Sequence, residues 1–166
     1  MDEKALQQLI DRQQVEETLY RYASAIDQKD YATLRTVFVD DVVAQYATAP
    51  EIHGADTLVT WIDEMSVDQA FQHHLINVYH VDVDGDLARA LTYHTSHQVR
   101  QSDPDTVLVI VGRYRDALRR VGGGWKIAEK RMEVGWMEER HFSQSVASER
   151  EAAENLAAQS RSGVDR

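Results

Sequence analysis

A carboxylate and an imidazole that meet in apolar surroundings suffice to move a proton to or from carbon. This chain offers one of each in two stretches. The first is Asp27-Gln28-Lys29-Asp30-Tyr31-Ala32-Thr33-Leu34-Arg35, and the second is Gln72-His73-His74-Leu75-Ile76-Asn77. Asp27 follows Ile26 and stands one helical turn beyond Ala23, so it borders the apolar stripe of its helix rather than the solvent face. Asp30 has a different role available, as the N-cap of the segment after it. The spacing therefore predicts a pair in which Asp27 accepts a hydrogen bond from one ring nitrogen of His73. The other nitrogen then faces a substrate carbon.

The elements that must position these groups can be read from periodicity. Residues 3–27 carry Val15, Leu19, Tyr22, Ala23 and Ile26 on one helical stripe. Tyr31–Phe38 reads as a short helix, Val42–Tyr46 as an edge strand, and Ala55–Met65 as a third helix with Leu58, Trp61, Ile62 and Met65 inward. From residue 72 the period becomes two. Alternation puts His73, Leu75, Asn77, Tyr79, Val81 and Val83 on one face, and His74 on the other. Asp84-Gly85 is a hairpin signal. The return strand runs from Leu87 to Arg100 with Leu91, Tyr93, Thr95, His97 and Val99 together, and Val107–Leu118 and Trp125–Trp136 complete a four-strand meander. Helices first and strands after predict an α+β fold: a curved, mixed or antiparallel sheet coned around the N-terminal helices. One domain is expected over residues 1–141. Residues 142–166 are expected to form a polar tail, helical or disordered.

Composition narrows the function. No cysteine among the 166 residues removes thiolate catalysis, disulfides and thiolate metal sites. A net charge of −10 argues against a nucleic-acid partner, because backbone phosphates need clustered Lys and Arg. No apolar run approaches a membrane span, and Met-Asp-Glu-Lys lacks the layout of a signal peptide. A cytoplasmic protein acting on a small molecule, with no membrane partner, is the expectation.

Taken in order, several pieces resemble the SnoaL-like branch of the nuclear transport factor 2-like fold over residues 8–137. They are Asp27-x-Lys29-Asp30-Tyr31-x-x-Leu34-Arg35, Phe38-x-Asp40-Asp41, His73-x-x-x-Asn77, Asp84-Gly85-Asp86-x-Ala88, Gly112-Arg113-Tyr114-Arg115-Asp116 and Trp125-Lys126-Ile127-Ala128. Within it the chain is most similar to scytalone dehydratases, hexachlorocyclohexane dehydrochlorinases and bile acid dehydratases. That resemblance implies cofactor-free elimination, a trimer, and a cone-shaped α+β barrel of the cystatin-like type. It also implies an aspartate–histidine dyad at Asp27 and His73, a second histidine at His97 and a tyrosine at Tyr46. Ile26, Gly112 and Tyr114 depart from the scytalone dehydratase pattern, which argues against scytalone as the substrate.

The expected activity is a lyase, dehydratase or dehydrohalogenase, acting on a small, largely apolar cyclic substrate without cofactor. His97, Tyr46, Tyr114 and Lys130 are the candidates to stabilise the leaving group, and Asn77 to touch a substrate oxygen. Leu108 and Ile110 are expected on an outer face buried in a homo-oligomer. Two alternatives remain: an isomerase of the ketosteroid type, or a non-catalytic ligand binder or small subunit of a ring-hydroxylating dioxygenase. No metal is expected. His94 and His97 fall on opposite strand faces, and only His73, His97 and Asp27 could form a two-His-one-carboxylate set.

Overall fold

The computed structural model describes residues 2–141. The expected polar tail, residues 142–166, lies outside them. Helix α1 (Glu3–Asp27) starts where the Asp2 side chain accepts from the Lys4 N–H, and it buries Val15, Leu19, Tyr22, Ala23 and Ile26 as the periodicity required. Asp30 caps α2 (Tyr31–Thr36) by accepting from the Thr33 N–H at 3.0 Å, the structural task assigned to it. Helix α3 spans Ala55–Ser66 with Leu58 and Ile62 buried.

Six strands follow the order β2-β1-β6-β5-β4-β3 in one open, mixed sheet. They are β1 (Phe38–Tyr46), β2 (Ile52–His53), β3 (Gln69–Asp84), β4 (Leu87–Arg100), β5 (Thr106–Val121) and β6 (Gly124–His141). The meander β3 to β6 is antiparallel throughout. The strand expected at an edge is not one. β1 lies inside the sheet, parallel to β6, with Phe38 opposite Ile127 and Tyr46 opposite Met132. The two-residue β2 takes the edge instead. Phe38, Val42 and Ala44 explain the placement, because a strand with such fully buried residues cannot sit at a wet margin.

The core fills the concave side, where α1, α2 and α3 meet the inner face of the sheet. Leu19, Leu34, Leu58, Leu118 and Ile127 are essentially inaccessible, each contributing roughly 1.5–3 kcal/mol through burial.

One irregularity in β3 decides the site. Its register against β4 shifts between Val78 and His80, so Tyr79 has no partner in the pairing. Before the bulge Gln72, His74, Ile76 and Val78 point inward; after it Val81 and Val83 do. Unbroken alternation cannot put both sets on the same side.

Candidate active site

Helix α1 ends against the start of β3, and two side chains hold it there. The buried Gln72 amide donates to the Ile26 carbonyl at 2.6 Å. Lys29, at a left-handed φ of 53°, sends its ammonium to the carbonyls of Ser66 and Gln69 at 3.0 and 2.9 Å. Between these ties the Asp27 carboxylate grips one residue twice. Its Oδ2 accepts the His74 backbone N–H at 2.9 Å, and its Oδ1 lies 2.6 Å from His74 Nδ1. Both side chains are largely withdrawn from water, 9% exposed for His74 and 21% for Asp27. An ionised carboxylate can only accept, so the proton of a neutral imidazole sits on Nδ1, and Nε2 carries the lone pair. A ring held this way can serve as a carboxylate-oriented base.

His74 stands on the wall of a cavity of about 430 Å3, a size typical of small-molecule sites. Trp61, Ile62, Met65, Leu108, Ile110 and Met132 give it an apolar interior. A second imidazole, His94, comes from β4 and stacks on Tyr114 with ring centroids 4.4 Å apart. Neither of its nitrogens has a partner among the described residues. Burial, with the fields of His74 and Lys130, pushes its pKa down from 6.5 to about 4, so the ring is neutral at pH 7. Gly112 lies directly opposite on β5; a Cβ there would stand 3.0 Å from His94 Nε2 and 2.3 Å from the Glu133 carbonyl oxygen. The glycine is what leaves room for the ring.

Tyr46 reaches the cavity from β1, stacks on Trp61 at 5.0 Å and shares a 2.8 Å hydroxyl contact with Tyr22. Burial raises the pKa of both phenols, so each remains a neutral O–H donor. Behind them Lys130 and Asp116, both essentially inaccessible, form an ion pair at 2.9 Å. The ammonium also lies 4.0 Å from the Tyr22 ring centroid and 3.9 Å from that of Tyr114. Burial pushes Lys130 down and Asp116 up, while their mutual attraction opposes both shifts.

The expected partners are thus brought together only in part. Asp27, Tyr46 and Tyr114 line or border the cavity as expected. His73 does not meet Asp27: it is exposed on the convex face, where it stacks with His97 at 6.0 Å across the strand pair. His74 occupies the position assigned to His73, and His94 the one assigned to His97. Asn77 is likewise exposed on the convex face, opposite Tyr93. Lys130 sits beneath the tyrosines and is not part of the cavity wall. Leu108 and Ile110 line the cavity rather than the outer face. Trp61, Met65 and Met132 shape it, whereas Tyr79 and Trp136 are exposed.

The inversions on β3 and β4 have separate causes. On β3, alternation counted back from Val81 and Val83, beyond the bulge, reverses the faces; on β4, the apolar Leu91, Tyr93 and Val99 belong to the convex face. A signal was present: Ile76-x-Val78 and Val81-x-Val83 are two apolar pairs separated by an odd step, the mark of an extra residue between them. His94 and His97 do face opposite ways, and no group of three or more metal-ligating side chains occurs among the described residues.

The fold is α+β, an open mixed sheet packed on three helices, with a carboxylate-held histidine on its cavity wall. The chain belongs to the SnoaL-like domain family, whose model matches residues 7–131. Mycobacterium tuberculosis Rv2910c, an uncharacterised protein, is 27% identical over 124 residues, covering 74% of this chain and 84% of that protein. Among solved structures, a hexachlorocyclohexane dehydrochlorinase, LinA-type3 from Novosphingobium barchaimii, superposes with a TM-score of 0.75 at 14% identity, over 84% of this chain and 99% of that one. A candidate scytalone dehydratase from Novosphingobium aromaticivorans gives 0.74 at 18% identity, over 83% and 93%. At such identities these likenesses speak for the fold. Among the described residues, no helix is long and apolar enough to cross a membrane.

Proposed function

We propose that the protein is a cofactor-independent lyase, a dehydratase or dehydrohalogenase, whose base is His74 oriented by Asp27. The observation that carries this reading is the double grip of Asp27 on the Nδ1 and backbone N–H of His74, at the wall of an apolar cavity. His74 Nε2 takes a proton from a substrate carbon. The electron pair of that C–H bond becomes the new carbon–carbon double bond, and the leaving hydroxide or halide departs from the adjacent carbon with its own pair. Asp27 offsets the positive charge that forms on the ring. Tyr46 donates its hydroxyl hydrogen to the leaving group, held in place by Tyr22 and Trp61. His94, uncharged at neutral pH, offers a second hydrogen bond from its own N–H. A ring-bearing, largely apolar molecule suits the lining. Likeness to a dehydrochlorinase and a candidate dehydratase supports elimination over other chemistry on the same frame. The exposed Phe71, Leu75, Tyr79 and Trp136 on the convex face suit burial in a homo-oligomer.

The test is a panel of β-hydroxy ketones, cyclic polyhalides and unconjugated enones, followed by appearance of a conjugated chromophore or by halide release. Asp27→Asn and His74→Gln should each lower turnover by about 10²–10⁴-fold, the usual worth of positioned acid–base help. His73→Ala should leave it unchanged. Equal losses in the His73 and His74 variants would defeat the assignment, and turnover only of the enones would make the protein an isomerase.

A further inference from the structure

Resting on that reading of the cavity, we infer that the substrate is elongated and ends in an anionic group of the carboxylate class, bound at Arg100 and Gln98. Strand β4 runs along the cavity, and His94, Ser96, Gln98 and Arg100 all line it from alternate positions. A strand advances about 3.4 Å per residue, so Gln98 lies roughly 14 Å and Arg100 roughly 20 Å beyond His94 along the strand. The wall between these ends is apolar: Ile110 stands beside Ser96, and Leu108 beside Gln98. A single small ring at the histidines would leave that stretch wet. A ring carrying an apolar arm would cover it.

The far end is built to donate hydrogen bonds. Arg100 is the one Lys or Arg on the cavity wall among the described residues. Only its Nη2 is engaged, by Glu139 at 3.1 Å, leaving the rest of the guanidinium fork available. Gln98 uses its carbonyl oxygen to accept from Gln69 at 3.4 Å, which frees its own amide N–H2. The acid on the same rim is already occupied, because Asp68 accepts from the hydroxyl and the backbone N–H of Ser102 at 2.5 and 3.2 Å. In a chain of net charge −10, an arginine at the cavity end, with one nitrogen on Glu139 and the others open, is a local selector for an anion rather than part of a general attraction.

The probes are ω-phenylalkanoates of increasing chain length and the matching ω-phenylalkanols, titrated by calorimetry and by quenching of tryptophan fluorescence, since Trp61 lines the cavity. Short acids and alcohols should bind alike. Once the arm spans the wall, the acid should bind about tenfold or more tightly than the alcohol, the worth of one charge-assisted contact. Arg100→Met should erase that preference while leaving alcohol binding intact, and Gln98→Leu should reduce it. Arg140→Met, away from the cavity, should not. Equal binding of acid and alcohol at every length, or a preference that survives Arg100→Met, overturns the inference. Because binding needs no turnover, a wild-type protein that prefers the long acids yet eliminates nothing would defeat the lyase reading alone.

Discussion

Replacing Lys130 by Met leaves the Asp116 carboxylate alone in a site where both side chains are at most 1% exposed. The loss is the 2.9 Å ion pair and two cation–π contacts, with a stranded charge in their place. Breaking a buried pair by removing one partner costs about 3–5 kcal/mol. For a chain of this length each kcal/mol lowers Tm by about 2–4 °C, so a fall of about 6–20 °C is expected in a melting experiment. The sign of the pH effect follows from burial, which raises the Asp116 pKa above its unfolded value even in the intact pair and more so without Lys130. A group with a raised folded pKa supports folding below its unfolded pKa and loses that support as pH rises. The Lys130→Met deficit should therefore be smallest near pH 4 and grow toward pH 8 in urea titrations. Adding Asp116→Leu should restore most of the stability by removing the stranded charge. An unchanged denaturation midpoint for the single variant, or a deficit that ignores pH, would refute the buried pair as described.

Gly112→Ala places a methyl 2.3 Å from the Glu133 carbonyl oxygen, a backbone atom that cannot step aside, and 3.0 Å from His94 Nε2. A loss of about 1–3 kcal/mol by urea denaturation is expected, with a displaced His94 resonance in NMR. His94 itself should titrate near its depressed value of about 4. Its support for folding is complete above 6.5 and is lost as pH falls toward 4, because the unfolded chain takes the proton first; that loss is on the order of 3 kcal/mol at about 1.36 kcal/mol per unit. A His94 resonance that titrates near 6.5 would contradict it.

Much of the fold is legible in the residues, and the reason is local. Helix α1 ends at Asp27 and strand β4 runs from Leu87 to Arg100, both as periodicity and turn chemistry indicate. Asp27 was readable because a helix stripe tolerates no ambiguity of a single position: Ile26 and Ala23 fix where the buried side lies. A strand is less forgiving, since one extra residue reverses every assignment beyond it. The pairing of β1 with β6 was also out of reach, because it joins residues 86 to 89 positions apart through backbone groups that carry no residue type.

The bulge at Tyr79 that misleads the reading has a reason to exist. Near its start β3 must turn His74 toward Asp27, whose double contact fixes that register by the backbone as well as by the ring. Near its end the same strand must turn Val81 and Val83 toward the core beside α1. His74 is even and the valines are odd, so a regular strand could satisfy the core or the site, but not both. The extra residue reconciles them. The residues that resist reading by alternation are thus those where packing and chemistry ask for opposite faces of a single strand.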